Sequence, residues 1–264
     1  MAKTSGKTKI RIAPKKGGAS SGTSQTMSLA RKPGQWLRRL WMWLGVALLV
    51  FLCTSVGAVV AYKWLPVPVT PLMLYRCAQQ VANGQEMRME HEWVPIDSIS
   101  HNVPQAVMAS EDNLFLRHSG FDFEQIHRAR LEALHGGRER GASTISQQTA
   151  KNVFLWQGHS WVRKGLEAYF TVLIELIWGK ERIMEVYLNS IEMGQGIYGV
   201  QAVAQFHFGK TADRLTAADA ALIAASLPNP LKRNSAAPTR YMKKRQRQIV
   251  SLMKKIDDCG MGCR

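Results

Sequence analysis

The chain has 264 residues, 46% of them hydrophobic, and a formal net charge of +16 at pH 7. That apolar content excludes general disorder, and the length leaves room for one domain with a real core beside a membrane segment. Ten Lys or Arg and no acid fall within residues 1–39, leaving a net +6 for the rest; the basic excess is mostly a tail, which argues against nucleic-acid binding by the domain. Four cysteines (Cys53, Cys77, Cys259 and Cys263) are too few for a disulfide framework and form no C-x-x-C knuckle. Cys259 and Cys263 either pair or stay free.

Residues 1–34 are rich in Lys, Gly, Ser and Thr without hydrophobic periodicity and read as disordered. Residues 40–62 then run 23 positions without a charge, after Arg38-Arg39, with Trp36, Trp41, Trp43, Tyr62 and Trp64 near the two ends. That length spans a bilayer core of about 30 Å, and the aromatics fall where interfacial belts sit. A secretory signal peptide has a shorter apolar run, roughly 7–15 residues, and a small-residue cleavage site. The stretch is therefore predicted to be an uncleaved anchor, with the lysine-rich side cytoplasmic and the domain outside, in the periplasm of a cell with two membranes. The proline-rich run at 65–71 ends it as a stiff spacer. Beyond it a short helix is predicted at 72–83, an extended segment at 87–94, and helices at 104–116 and 122–134. Gly136 and Gly141 bracket a charged loop, expected to be mobile and to order on substrate binding. Further helices are predicted at 143–155, 161–178, 180–192, 199–208, 212–226 and 239–255, the last strongly basic on one side. The domain should be nearly all α.

Several motifs fail on inspection. Gly209-Lys210-Thr211 ends like a phosphate-binding loop, but the required first glycine would fall on Ala204 and no strand precedes it. Ser251-x-x-Lys254 lacks its S-D-N and K-T-G companions. The seven histidines show no H-x-x-x-H spacing, so a zinc site is not expected, and a lone His118 at a helix end reads as a cap or core group. The polar run Gly141-Ala142-Ser143-Thr144-Ile145-Ser146-Gln147-Gln148 is different. A capped helix start, with Ser143 or Thr144 as N-cap and Gln147 in the first turn, explains one or two of these residues but not all. Glu111 precedes the run, Glu167 follows it, and Lys151, Arg163 and Lys164 lie close by. Each acid alone reads as solvated, and Arg163–Glu167 alone as a surface ion pair. Together they point to an anionic, hydroxyl-rich substrate. Paired carboxylates serve sugar chemistry, and cations with Ser, Thr and Gln suit a sugar bearing phosphate.

Glu111-Asp112-Asn113-Leu114-Phe115 with His118-Ser119-Gly120 opens a series of four linked motifs. The second is Gly141-x-Ser143-Thr144-Ile145-x-Gln147-Gln148 with Lys151-Asn152, and the third Arg163-Lys164-x-x-Glu167. Lys180-x-Arg182-Ile183-x-Glu185-x-Tyr187-Leu188-Asn189 completes it. In order and spacing they closely resemble the peptidoglycan glycosyltransferases of family 51, over about residues 105–255. With no room for a transpeptidase domain, the likeness is to the monofunctional branch.

The resemblance implies a mostly α, lysozyme-like glycosyltransferase domain behind one N-terminal transmembrane helix. The implied division is a disordered cytoplasmic tail at 1–39, the anchor at 40–62 and a linker with membrane-proximal segment at 63–103. The glycosyltransferase domain follows at 104–257 and a short tail at 258–264. It also implies a reaction: lipid II is polymerised into β-1,4 glycan strands with release of undecaprenyl diphosphate and inversion at the anomeric carbon. Glu111 would be the general base. Glu167 would sit by the donor and help hold its pyrophosphate, and whether a divalent metal (Mg or Mn) joins it there stays open. Arg128, Ser143, Thr144, Gln147, Gln148, Lys151, His159, Arg163 and Lys164 would line the donor site. The family usually has an arginine where this chain has His159; a histidine reaches less far and titrates near neutral pH. The implied partners are lipid II, the growing glycan chain, the inner membrane, and cell-wall synthesis or division proteins. A lytic glycan-cleaving enzyme and a non-catalytic, membrane-anchored scaffold are the alternatives. The basic helix around Lys243, Lys244, Arg245 and Arg247 either faces anionic head groups or is a solvated face.

Overall fold

The computed structural model describes residues 33–136, 141 and 143–256. The expectations for the tail at 1–32, for 137–140 of the charged loop, and for Cys259 and Cys263 lie outside the described residues. The chain divides into two compact units, Met1–Leu49 and Val50–Arg264. The described part of the first is helical, with its side chains from Gln35 onward exposed.

Helix α1 (Pro33–Tyr62) opens on a proline, whose fixed φ suits a first helical turn. Residues 33–39, expected with the tail, are thus helical. Within α1, Gln35–Tyr62 is long and apolar enough to cross a membrane. Helix α2 (Pro71–Ala82) follows the spacer, with Thr70 as its N-cap accepting from Met73 N at 3.3 Å.

The extended segment predicted at 87–94 contributes only a two-residue strand, β1 (Glu90–His91). It pairs in parallel with β3 (Ile197–Tyr198), which pairs antiparallel with β2 (Glu192–Gly194). The helix expected at 180–192 gives way to this hairpin after Ser190. Gly199 has φ +80°, and a Cβ there would meet Asn189 O at 2.8 Å, so the turn out of β3 admits only glycine.

Helix α3 (Asn102–Glu111) stops five residues short of the prediction, at the first acid of the Glu111-Asp112 pair. Glu111 is therefore the last helical residue and not mid-helix, and Asp112 leaves the helix with φ −159°. Helix α4 (Phe123–Leu134) is capped by Asp122, whose carboxylate accepts from Gln125 N at 2.8 Å. It buries none of its residues; Phe123 and Leu134 are about three-quarters exposed. Helices α5 (Ile145–Phe154), α6 (Trp161–Ile177) and α7 (Lys180–Ser190) pack together. Helix α8 (Val200–Phe208) follows the hairpin. The helix expected at 212–226 is broken into a 3₁₀ turn at Ala212–Arg214 and α9 (Ala217–Ser226), because Thr216 and Asp219 form a capping box between them. Ala220, Ala221, Ala224 and Ala225 of α9 are buried, and these small side chains let α3 and α10 (Arg240–Met253) approach it closely. The core runs through Val103, Val107, Ile145, Ile183, Val203 and Ala221. Glu111 ends one helical group, α5 begins the other, and a cleft lies between them.

Candidate active site

The start of α5 is fastened to the loop after α3. Thr144 caps α5 by accepting from Gln147 N at 3.2 Å, and the Gln147 side chain returns to Thr144 N at 3.1 Å. Thr144 also donates to Gly120 O at 2.7 Å. Asp112 accepts from Ile145 N at 3.0 Å, which gives a carboxylate to an orphan donor at the positive end of the helix. The second hold on Asp112 is His118, whose Nε2 lies 3.0 Å from both of its oxygens. His118 Nδ1 accepts from Gly120 N at 3.2 Å, so the ring donates from Nε2. Gly120 has φ +89°, and a Cβ there would meet Thr171 Cγ2 at 2.8 Å. These contacts assign Thr144 and Gln147 to the cap, and they make His118 a local support for Asp112.

One turn further along α5, Gln148 Nε2 donates to Glu111 Oε2 at 3.1 Å. Burial pushes the Glu111 carboxyl above its ordinary range; the Gln148 bond and then Arg245 oppose this, Asp112 adds to it, and Arg233 opposes it. Glu111, Asp112, Ser143, Thr144 and Gln148 line a cavity of about 390 Å³. An adjoining one of about 540 Å³ carries Glu111 with Arg128 and Arg245. Arg128 is exposed and pairs with Glu124 of its own helix, so it stands beside Glu111 and not in the cation cluster.

That cluster lies where α5 and α6 pack. Arg163 Nη1 donates to Glu167 Oε2 at 2.8 Å, and Lys164 pairs with the other oxygen. Arg163 and Glu167 are both buried, so this is a desolvated pair and not the surface pair of a solvated helix. Arg163 Nε also donates to Gly158 O at 2.7 Å, which fixes the loop that carries the exposed His159. Burial depresses the Lys151 ammonium, Glu167 works against that, and Arg163 and Lys164 add to it. Three cations thus surround one carboxylate. Gln148 and Lys151 are three residues apart on one face of α5, so that helix carries one side chain to each end of the site.

A resident metal does not fit this arrangement. Both oxygens of Glu167 are occupied by cationic side chains, and no three His, Cys, Asp or Glu side chains converge on a metal position among the described residues. Divalent ions need several oxygen donors, and here the charge is supplied by nitrogen.

Sequence reasoning gave no site role to Tyr187, whose hydroxyl donates to Gln148 Oε1 at 3.3 Å. It also missed Glu175, which accepts from Ser146 and, at 2.7 Å, from Lys180 and so ties α5, α6 and α7 together. Arg233 and Arg245 were likewise unforeseen. Arg245 belongs to the basic helix, and only the packing of α10 against α3 brings it opposite Glu111.

Comparison with known proteins gives a consistent result. The family described as Transglycosylase matches residues 78–254. A biosynthetic peptidoglycan transglycosylase of Bacteroides thetaiotaomicron is 58% identical over 206 residues, which cover 78% of this chain and 83% of that protein. The protein of the same name from Caulobacter vibrioides is 52% identical over 217 residues, covering 82% and 92%. That from Bdellovibrio bacteriovorus is 49% identical over 209 residues, covering 79% and 84%.

Proposed function

Because this chain belongs to the transglycosylase family, we propose that it is a membrane-anchored peptidoglycan glycosyltransferase that polymerises lipid II, with Glu111 as the base. The observation that carries this reading is the division of labour along α5. Gln148 orients a half-buried carboxylate at one end, and Lys151 joins Arg163 and Lys164 around Glu167 at the other. In the proposed reaction the acceptor sugar hydroxyl attacks the anomeric carbon of the donor, and the bond from that carbon to the pyrophosphate oxygen breaks. Glu111 takes the hydroxyl proton, and the raised position of its carboxyl makes it a better base than an exposed glutamate. The leaving diphosphate carries its charge into the cation cluster. Three cations against one carboxylate leave the cluster net positive, which complements a diphosphate diester and favours its departure without a strong acid. Glu167 holds Arg163 and Lys164 in place for this. No step calls for a metal.

The anchor fits the same reading. A substrate lodged in a bilayer is met at higher effective concentration by a tethered domain, and the exposed Trp161, Val162 and Leu176 of α6 suit work at a lipid surface. The lysine-rich N-terminal side favours a cytoplasmic tail, which places the domain on the far side of the inner membrane, in the periplasm.

The test is incubation of the detergent-solubilised full chain with labelled lipid II, wild type against Glu111→Gln. Long glycan strands are expected from the wild type, and a fall of at least about a hundredfold from the variant. If both proteins bind the lipid and neither makes strands, the chain is a scaffold and Glu111 is no base.

A further inference from the structure

Tyr187 and Tyr198 are the two fully enclosed tyrosines among the described residues, and Tyr187 is the one that reaches the site. Its phenol is pushed well above the ordinary tyrosine range, chiefly by burial and further by Glu111 and Asp112. The hydroxyl therefore keeps its proton throughout the working pH range, and a buried hydroxyl needs an acceptor for it. That acceptor is Gln148 Oε1, at 3.3 Å. The other end of the same amide, Nε2, donates to Glu111 Oε2 at 3.1 Å. An amide has one accepting and one donating end, so a single orientation serves both neighbours. Reversed, it would set its oxygen against a carboxylate oxygen and leave Glu111 without its donor.

We propose that Tyr187 is a positioning residue for the base: its hydroxyl locks the Gln148 amide in the orientation that donates to Glu111. The chain of contacts crosses three elements, from α7 through α5 to the end of α3, and so ties the direction of the carboxylate to the core. This deepens the proposed function and rests on Glu111 being the base. The charged groups facing Glu111 are Arg245 of α10, Arg233 of the segment before α10, Asp112 next to it, and Asp122, Glu124, Arg128 and Glu132 of α4 and its cap across the two cavities; α5 and α7 present the neutral Gln148 and Tyr187. Replacing Tyr187 by Phe keeps the ring and alters none of these charges. A change in how Glu111 titrates would then report the amide.

The sign follows from the chemistry. Gln148 stabilises the ionised carboxylate, so loosening it favours the protonated acid, and a base must be ionised to act. The experiment is the pH dependence of kcat for lipid II polymerisation by the full chain, for wild type, Tyr187→Phe, Gln148→Leu, their double variant and Glu111→Gln. In Tyr187→Phe the acid limb should move to higher pH by about half a unit, a roughly threefold loss on that limb, with KM within about twofold of wild type. In the Gln148→Leu background the same substitution should do almost nothing, because the group it acts through is gone. An unmoved acid limb, or an equal loss in both backgrounds, overturns the proposal while Glu111→Gln remains inactive. An active Glu111→Gln overturns the base assignment instead. Thermal melting establishes that Tyr187→Phe is folded. If it is not, Gln148→Leu alone decides: its acid limb should move upward, and a fixed limb refutes the relay.

Discussion

His159 stands one residue past Gly158, whose carbonyl accepts from Arg163, and its side chain is exposed at the rim of the cation cluster. The cluster already has Lys151, Arg163 and Lys164, two of them engaged by Glu167. An arginine at 159 would bring a permanent charge and a longer reach without displacing a buried neighbour. His159→Arg should therefore leave kcat/KM for lipid II unchanged or raise it severalfold, measured as the initial rate of strand formation; a tenfold fall would count against a donor-site role for this position. At this scale the sequence was most informative about residues whose neighbours lie close in the chain. Arg163, Lys164 and Glu167 meet on one helix, and their spacing alone brings them together. Tyr187 and Arg245 meet the base only through packing, and no spacing rule relates residue 111 to residue 245.

Helix α5 carries one side chain toward each half of the site, and its position depends on its first turn. Thr144 accepts from Gln147 N and donates to Gly120 O, so a single hydroxyl fixes the helix start and the loop after α3. Removing it forfeits an N-cap worth about 1 kcal/mol and leaves the buried Gly120 carbonyl without this donor. Thr144→Ala should lower the melting temperature by about 2–4 °C or more and cut polymerisation about tenfold, although Glu111 and the cations are untouched. Thr144→Ser keeps both bonds and should restore both readouts; if it does not, the methyl packing matters and the cap does not. Cap chemistry made α5 and α10 legible within two residues. It failed for α3, where the apolar pattern runs on past Glu111 but Asp112 turns away to meet His118 and Ile145 N, partners that local periodicity does not reveal. Amphipathic spacing likewise gave α4 correctly as a helix, but could not show that it buries none of its residues.

On the scale of the whole molecule, the apolar run near the N-terminus was legible as a helix long and apolar enough to cross a membrane from its uncharged length and flanking aromatics, but its last turns also pack into the domain. Within the unit Val50–Arg264, Val59 is fully buried, and its carbonyl accepts from Trp178 Nε1 at 2.6 Å. Ser55 meets the Tyr169 hydroxyl at 2.8 Å, and Arg182 donates to Tyr62 O at 2.8 Å, satisfying a carbonyl that the helix end would leave orphaned. The end of α1 is thus part of the core that holds α6 and α7, the helices carrying the cation cluster and Tyr187. A purely spanning helix would tolerate truncation of an apolar side chain anywhere along it. Here Val59→Ala should destabilise the domain by about 1–2 kcal/mol, or roughly 2–8 °C in thermal unfolding of the detergent-solubilised chain. Leu48→Ala, in the exposed stretch before Val50, should leave the transition in place. Equal melting temperatures for the two variants would show that α1 is only a tether. A drop confined to Val59→Ala would show that the last turns of α1 belong to the folded core of the unit Val50–Arg264 and are not only a tether.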